Sequence, residues 1–209
     1  MMLSKLARKK SSWLLVAAAL AVSACTGSLG GPSAPTRYYV LSATSGATPI
    51  SQVPAQSGPI VAVIPVDLAE YLDSPGIVTR SGANEIVRAN FDQWAGPLGG
   101  EISRVVGENL SSMIPTDRLT VSTGTGGLPI DFTVMIEIAT FERDDSNHVT
   151  LLARWAVVRV ADRTPVALRT SRITQAATGA SYNATVVAMN TVLGKLSQEI
   201  AAVIAAGGN

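Results

Sequence analysis

The sequence predicts an α+β fold, a two-layer sandwich in which an antiparallel sheet carries two amphipathic helices. Three observations predict it. Phe132, Val134, Ile136 and Ile138 alternate with Thr133, Met135, Glu137 and Ala139, the period of two of a half-buried strand. Leu98, Ile102, Val105, Val106, Leu110, Met113 and Ile114 fall on one stripe at helical spacing. Met189, Leu193, Leu196, Ile200 and Val203 form a second such stripe near the C-terminus.

In chain order, Arg37 to Leu41 is a short strand by its aromatic and β-branched content. Residues 43–59 are rich in Ser, Gly, Pro and Ala and read as a loop. Ile60 to Val66 is an apolar run fit for a buried strand, with Pro65 placing its end at an edge or bulge. Ile77 to Arg80 and Glu85 to Arg88 flank Ser81-Gly82-Ala83-Asn84 as a hairpin. A helix spans Pro97 to Ile114, opened by Pro97 and ended by Pro115, with Gly99, Gly100 and Gly107 weakening it. Arg118 to Ser122 is a short strand before the loop at Gly124-Thr125-Gly126-Gly127. The strand from Phe132 turns at Asp144–Asn147, Val149 to Val160 follows, Asp162–Pro165 turns again, and Val166 to Ala176 completes a meander. Ser181 opens the second helix, which runs to about Ala206 and stops at Gly207-Gly208.

The N-terminus has a different character. Lys5, Arg8, Lys9 and Lys10 precede Trp13 to Ala24, an uncharged run of 12 residues. A span needs about 20 apolar residues, so this is the pattern of a secretory signal peptide and not of a membrane helix. Val22-Ser23-Ala24-Cys25 is similar to a bacterial lipobox, which implies cleavage before Cys25 and acylation of its sulfur and new amino group. Cysteine suits this role because its thiolate is readily alkylated, and two or more acyl chains hold a protein firmly where one does not. The expected organisation is a signal peptide at 1–24, a lipidated cysteine and flexible tether at 25–36, and one domain at 37–209. Thr26 stands where an Asp would retain a lipoprotein in the inner membrane under the enterobacterial rule. The outer membrane, facing the periplasm, is the expected location.

Removal of residues 1–24 leaves 185 residues with 12 basic and 15 acidic side chains, a net charge of −3. That balance lacks the electrostatic footprint of a nucleic-acid binder. Lys195 is the only lysine left, and with Cys25 acylated no thiol remains for a disulfide.

No reactive constellation stands out, and the chain is expected to be neither an enzyme nor a cofactor carrier. His148, the single histidine, sits at the mouth of a turn with no cysteine or second histidine to complete a metal site, and with no Gly-x-Ser-x-Gly serine. Gly124-Thr125-Gly126-Gly127 lacks the lysine and helix of a phosphate loop. Asp144 and Asp145 lack the spacing of a calcium loop and read as a solvated turn.

A block ahead of the first helix carries a more specific signal. It comprises Ile64-Pro65-Val66, Tyr71-Leu72-Asp73, Gly76-Ile77-Val78-Thr79-Arg80 and Phe91-Asp92-Gln93-Trp94-Ala95-Gly96-Pro97-Leu98. With Cys25 and Tyr38-Tyr39-Val40-Leu41, it resembles the ABC-type transport auxiliary lipoproteins, the family of paraquat-inducible protein C. Gly96 departs from the pattern, standing where an acidic residue is common. The resemblance covers most of 37–120. It implies an outer-membrane-anchored accessory of an MCE-type lipid transport system, which docks the periplasmic MCE-domain protein and performs no turnover. Tyr71, Arg80 and Trp94 are the candidate partner-binding residues, since aromatic and Arg side chains dominate interface energetics. A core role for Trp94 and Tyr71 is the competing reading. The competing function is a structural lipoprotein that stabilises an envelope assembly such as a lipopolysaccharide-export barrel. Homo-oligomerisation, the lipid and the direction of transport stay open.

Overall fold

The structure is a computed structural model that describes residues 34–44, 58–114, 119–121 and 129–207. Cys25, the signal peptide and the loop at 124–127 lie outside the described residues, as do most of the expected tether and of the loop at 43–59. The main compact unit is Thr36–Asn209. Its strands are β1 (Arg37–Tyr39), β2 (Val61–Val63), β3 (Asp67–Leu68), β4 (Gly76–Ser81), β5 (Glu85–Trp94), β6 (Leu119–Val121), β7 (Phe132–Arg143), β8 (His148–Arg159) and β9 (Pro165–Ala176). Its helices are α1 (Leu98–Met113) and α2 (Tyr182–Gly207). A 3-10 turn covers Glu70–Leu72.

The three long strands form the predicted antiparallel meander, β7 against β8 and β8 against β9. Local chemistry sets both turns. The Asp144 carboxylate accepts the Ser146 and His148 amides, each at 2.9 Å, and Asn147 takes the left-handed conformation at φ 58°. Asp162 accepts the Thr164 amide at 3.0 Å beside Arg163, also at φ 58°. Exposed His148 begins β8 at the end of the first turn.

The sheet as a whole is mixed, which corrects the antiparallel expectation. The free edge of β7 takes β2, β3 and β4 one after another, each running parallel to it: Val61 opposite Phe132, Asp67 opposite Glu137, Thr79 opposite Arg143. β6 adds beyond β2, also in parallel. β5 adds antiparallel beyond β4, and β1 lies parallel on β5. Parallel neighbours need a crossover connection, and α1, lying between β2 and β6 in the chain, supplies one. The cause of the correction is that two- and three-residue strands have no period from which a direction can be read. Pro65, which has no N–H to donate, sits in the break between β2 and β3.

The apolar face of the meander is Phe132, Val134, Ile136 and Ile138 from β7 with Val149, Leu151, Ala153, Trp155 and Val157 from β8, all buried. Both helices contribute to the same core cluster. α1 buries the predicted Leu98, Ile102, Val105, Val106 and Leu110, and Pro97 stands just before its first residue. α2 buries the predicted stripe and more, including Ala184, Ala188, Val192 and Ile204. It needs the wider apolar surface because β8 and β9 contact it on one side and α1 on another. Ser181 caps it, accepting the Ala184 amide on Oγ at 3.1 Å.

Between β1 and the next described strand, residues 41–44 lie along the two helices. Leu41 is buried, and Arg104 donates to its carbonyl at 2.6 Å. Asn190 accepts the Ser42 amide at 3.1 Å, and the fully buried Asn109 accepts the Thr44 amide at 3.0 Å. Gly194 permits this approach, because a Cβ there would stand 2.4 Å from Thr44 Oγ1.

Candidate functional site

The block singled out in the sequence folds into one region where β3, the 3-10 turn, the β4–β5 hairpin and the start of α1 meet. Three backbone segments run side by side there. The Trp94 amide donates to Pro75 O at 2.7 Å, and the Ala95 amide to Tyr39 O at 2.8 Å. Between them opens a cavity of about 300 Å³ lined by Asp73, Pro75, Trp94, Gly96, Pro97 and Leu98. Trp94 is 5 % exposed and joins the hydrophobic core, so only a small part of its ring meets this cavity. Gly96 would accept a Cβ without meeting any atom within 4 Å.

Tyr71 and Arg80 share a common partner. They converge on Glu142, a β7 carboxylate only 2 % exposed. Arg80 donates through Nε at 2.8 Å and pairs through its terminal nitrogen at 2.7 Å, both to Oε1. Tyr71 OH reaches Oε2 at 2.9 Å and Ala139 O at 3.1 Å, and the Phe141 amide donates to Oε2 at 2.8 Å. A buried carboxylate is tolerable only when its charge and lone pairs are met, and here both oxygens are. Burial pushes the Tyr71 phenol above its usual range, and its bond to Glu142 adds to the shift. Arg80 is therefore neutralised within its own chain, with its guanidinium held by Glu142 and by Ala83 O at 3.2 Å.

A second carboxylate site lies at β1. Asp92 is 6 % exposed and receives Arg37 at 2.8 Å and Tyr39 OH at 2.7 Å. Burial alone would raise its pKa, but the bonds from Arg37 and Tyr39 outweigh that and hold it below the ordinary carboxylate value. Neither Glu142 nor the Arg37–Tyr39–Asp92 clasp emerges from the sequence as a site. Asp92 does stand inside the recognised block, between Phe91 and Gln93, and a carboxylate flanked by strand formers was the one available signal.

A polar pair fills the interior under α2. Trp155 Nε1 donates to Ser171 Oγ at 2.8 Å, and Ser171 donates in turn to Glu199. Among the described residues no group of three or more His, Cys, Asp or Glu side chains is placed to hold a metal ion.

A family model described as ABC-type transport auxiliary lipoprotein component matches residues 39–201. The chain belongs to that family. The match takes in all of the region just described except Arg37, together with the meander and most of α2. Solved structures share the fold. A crystal structure of an uncharacterized protein superposes with a TM-score of 0.67 at 20% identity, covering 81% of this chain and 99% of its own. Protein XCC0632 from Xanthomonas campestris superposes with a TM-score of 0.65 at 18% identity, covering 79% of this chain and 93% of its own. No curated protein matches the chain in sequence. Membership in this family makes the chain an auxiliary component of ABC-type transport.

Proposed function

We propose that this auxiliary lipoprotein component is held at the periplasmic face of the outer membrane by acyl chains on Cys25, and that it docks the MCE-domain protein of an intermembrane lipid transport system. The single observation that carries this reading is the family match over 39–201. The lipobox-like Val22-Ser23-Ala24-Cys25 and the Gly-, Ser- and Pro-rich tether behind it support the anchor. The surface available for docking centres on the rim of the cavity between Pro75 and Pro97, with Trp94 as its floor and the Tyr71–Glu142–Arg80 lock as the support behind it. In this reading Tyr71 and Arg80 position the surface, while Asp73, Pro75 and Pro97 touch the partner. A family built around an accessory role suits binding and positioning, with chemistry left to the ATPase and permease.

Affinity capture of the native chain, with the mass of its mature form measured in parallel, tests this. An N-terminal Cys25 bearing acyl chains and recovery of an MCE-domain protein are expected. Recovery of a β-barrel alone would transfer the chain to the structural envelope role, and an unmodified thiol would remove the anchor.

A further inference from the structure

β9 is an open edge. It pairs with β8 along its length and with no other strand among the described residues. At 12 residues it is as long as β7 and β8, whereas natural edge strands are commonly short or covered. Its sequence, Pro-Val-Ala-Leu-Arg-Thr-Ser-Arg-Ile-Thr-Gln-Ala, contains no carboxylate, on a body that carries net negative charge.

The arginines distinguish this edge further. Arg37, Arg80, Arg104 and Arg154 bond carboxylates, and Arg88, Arg143 and Arg159 donate to carbonyls. Among the described residues Arg163, Arg169 and Arg172 have no hydrogen-bond or carboxylate partner. All three lie on β9 or the turn that enters it. Arg169 rests over the Trp155 ring at 5.8 Å, and Arg172, opposite Leu152, faces the other side of the sheet. One position before Arg169, and on the same solvent face as Arg172, stands Leu168, 79 % exposed and the most exposed large apolar side chain described. The nearby carboxylates are engaged elsewhere: Asp162 takes the Thr164 amide, Glu199 takes Ser171, and Glu137 pairs with Arg154 at 3.4 Å.

We infer that the β9 edge is a docking strand that receives an extended, acidic segment of a partner protein by strand addition. Main-chain bonds to the open edge supply the affinity, and the guanidiniums select carboxylates. Because Arg169 and Arg172 are three positions apart, they fall on opposite faces, so the incoming strand carries acidic residues three apart, with an apolar residue against Leu168. A second copy of this chain is the wrong occupant. Its own β9 carries arginines and no carboxylate, so a second β9 strand would bring like charge to the edge and none of the carboxylates that the guanidiniums select. This inference stands independently of the anchor and of the MCE partner.

The test uses the full-length chain and a capped eight-residue peptide of valine and threonine with two glutamates three positions apart. The same peptide with lysines in their place is the comparison. Amide hydrogen exchange of residues 165–176 is the readout. The glutamate peptide is expected to slow exchange along β9, while the lysine peptide does not. Binding should weaken roughly tenfold in the Arg169→Glu, Arg172→Glu double variant. Should the double variant unfold, Arg172→Glu alone, on the solvent face, is expected to weaken binding by a smaller factor. Absence of protection with either peptide overturns the inference, as does equal protection by both. Protection that rises with protein concentration in the absence of peptide would also overturn it, in favour of a second copy.

Discussion

Asp92 shows how one buried carboxylate ties a short N-terminal strand to a sheet. β1 has three residues, too few for its backbone bonds to hold it unaided. Arg37 and Tyr39, on the same side of β1, both reach Asp92 and complete the attachment. The depressed pKa of Asp92 makes this attachment pH-dependent. Its native state binds a proton less readily than the unfolded chain, so its contribution is fully present above the unfolded value near 3.8. That contribution is lost as pH falls through the lower native value. Urea denaturation at a series of pH values should therefore show stability falling below about pH 4, with a shallower fall in Asp92→Asn. An identical acid limb in the variant would assign the slope to other carboxylates. At this scale the sequence is least legible: Arg37 and Asp92 are 55 positions apart, and Arg80 and Glu142 are 62 apart.

The β4–β5 hairpin is joined to the rest of the sheet more by side chains than by its ladder. Only Thr79 pairs with β7, opposite Arg143. The ion pair of Arg80 with Glu142 sits next to that contact, and Asp145 accepts the Gly82 amide at 2.8 Å from the neighbouring turn. Arg80→Ala leaves Glu142 buried without its counter-charge. The loss should be about 2–3 kcal/mol, below the ~3–5 of a fully enclosed pair, because the Arg80 side chain retains 30% exposure. Native-state hydrogen exchange should show β4 and β5 opening ahead of β7 and β8 in that variant, and Glu142→Gln introduced beside it should restore part of the loss. A uniform change across all strands would deny the lock its local role. The hairpin's core was legible from Gly82 and the β-branched residues around it, and the meander from its period of two and its Asp-rich turns. What escaped were features with no local signature. β3 is two residues long, and a bulge near Phe91 carries β5 on to Trp94. That bulge brings Ala89 O to 2.3 Å from where a Cβ on Gly76 would stand, so the glycine is required by a contact 13 positions away. In β7 a bulge between Ile138 and Thr140 shifts the alternation, burying both Phe141 and Glu142 where the regular pattern would expose Phe141.

The whole domain shares one core, running from Leu41 beside β1 to Ile204 near the end of α2. The open sheet at β1, β4 and β5 could suggest a separable lobe, but Trp94 and Ile77 belong to the same cluster as Trp155 and Leu196. A domain built this way should unfold as one unit, since opening either end exposes apolar surface that the other end covers. With residues 1–24 removed, the chain has two tryptophans, Trp94 in β5 and Trp155 in β8. Trp94→Phe leaves only Trp155 to report on the meander, and Trp155→Phe leaves only Trp94 to report on the hairpin side. In each variant the fluorescence transition in urea should coincide with the loss of far-UV ellipticity, whatever the shift in midpoint. The Trp155 replacement should be the more destabilising, because it also deprives Ser171 of the indole N–H that meets it in the interior. If the Trp94 signal instead moved at lower urea than the ellipticity, the hairpin and β1 would be a subdomain of their own. The cavity between Pro75 and Pro97 would then be the seam where it opens.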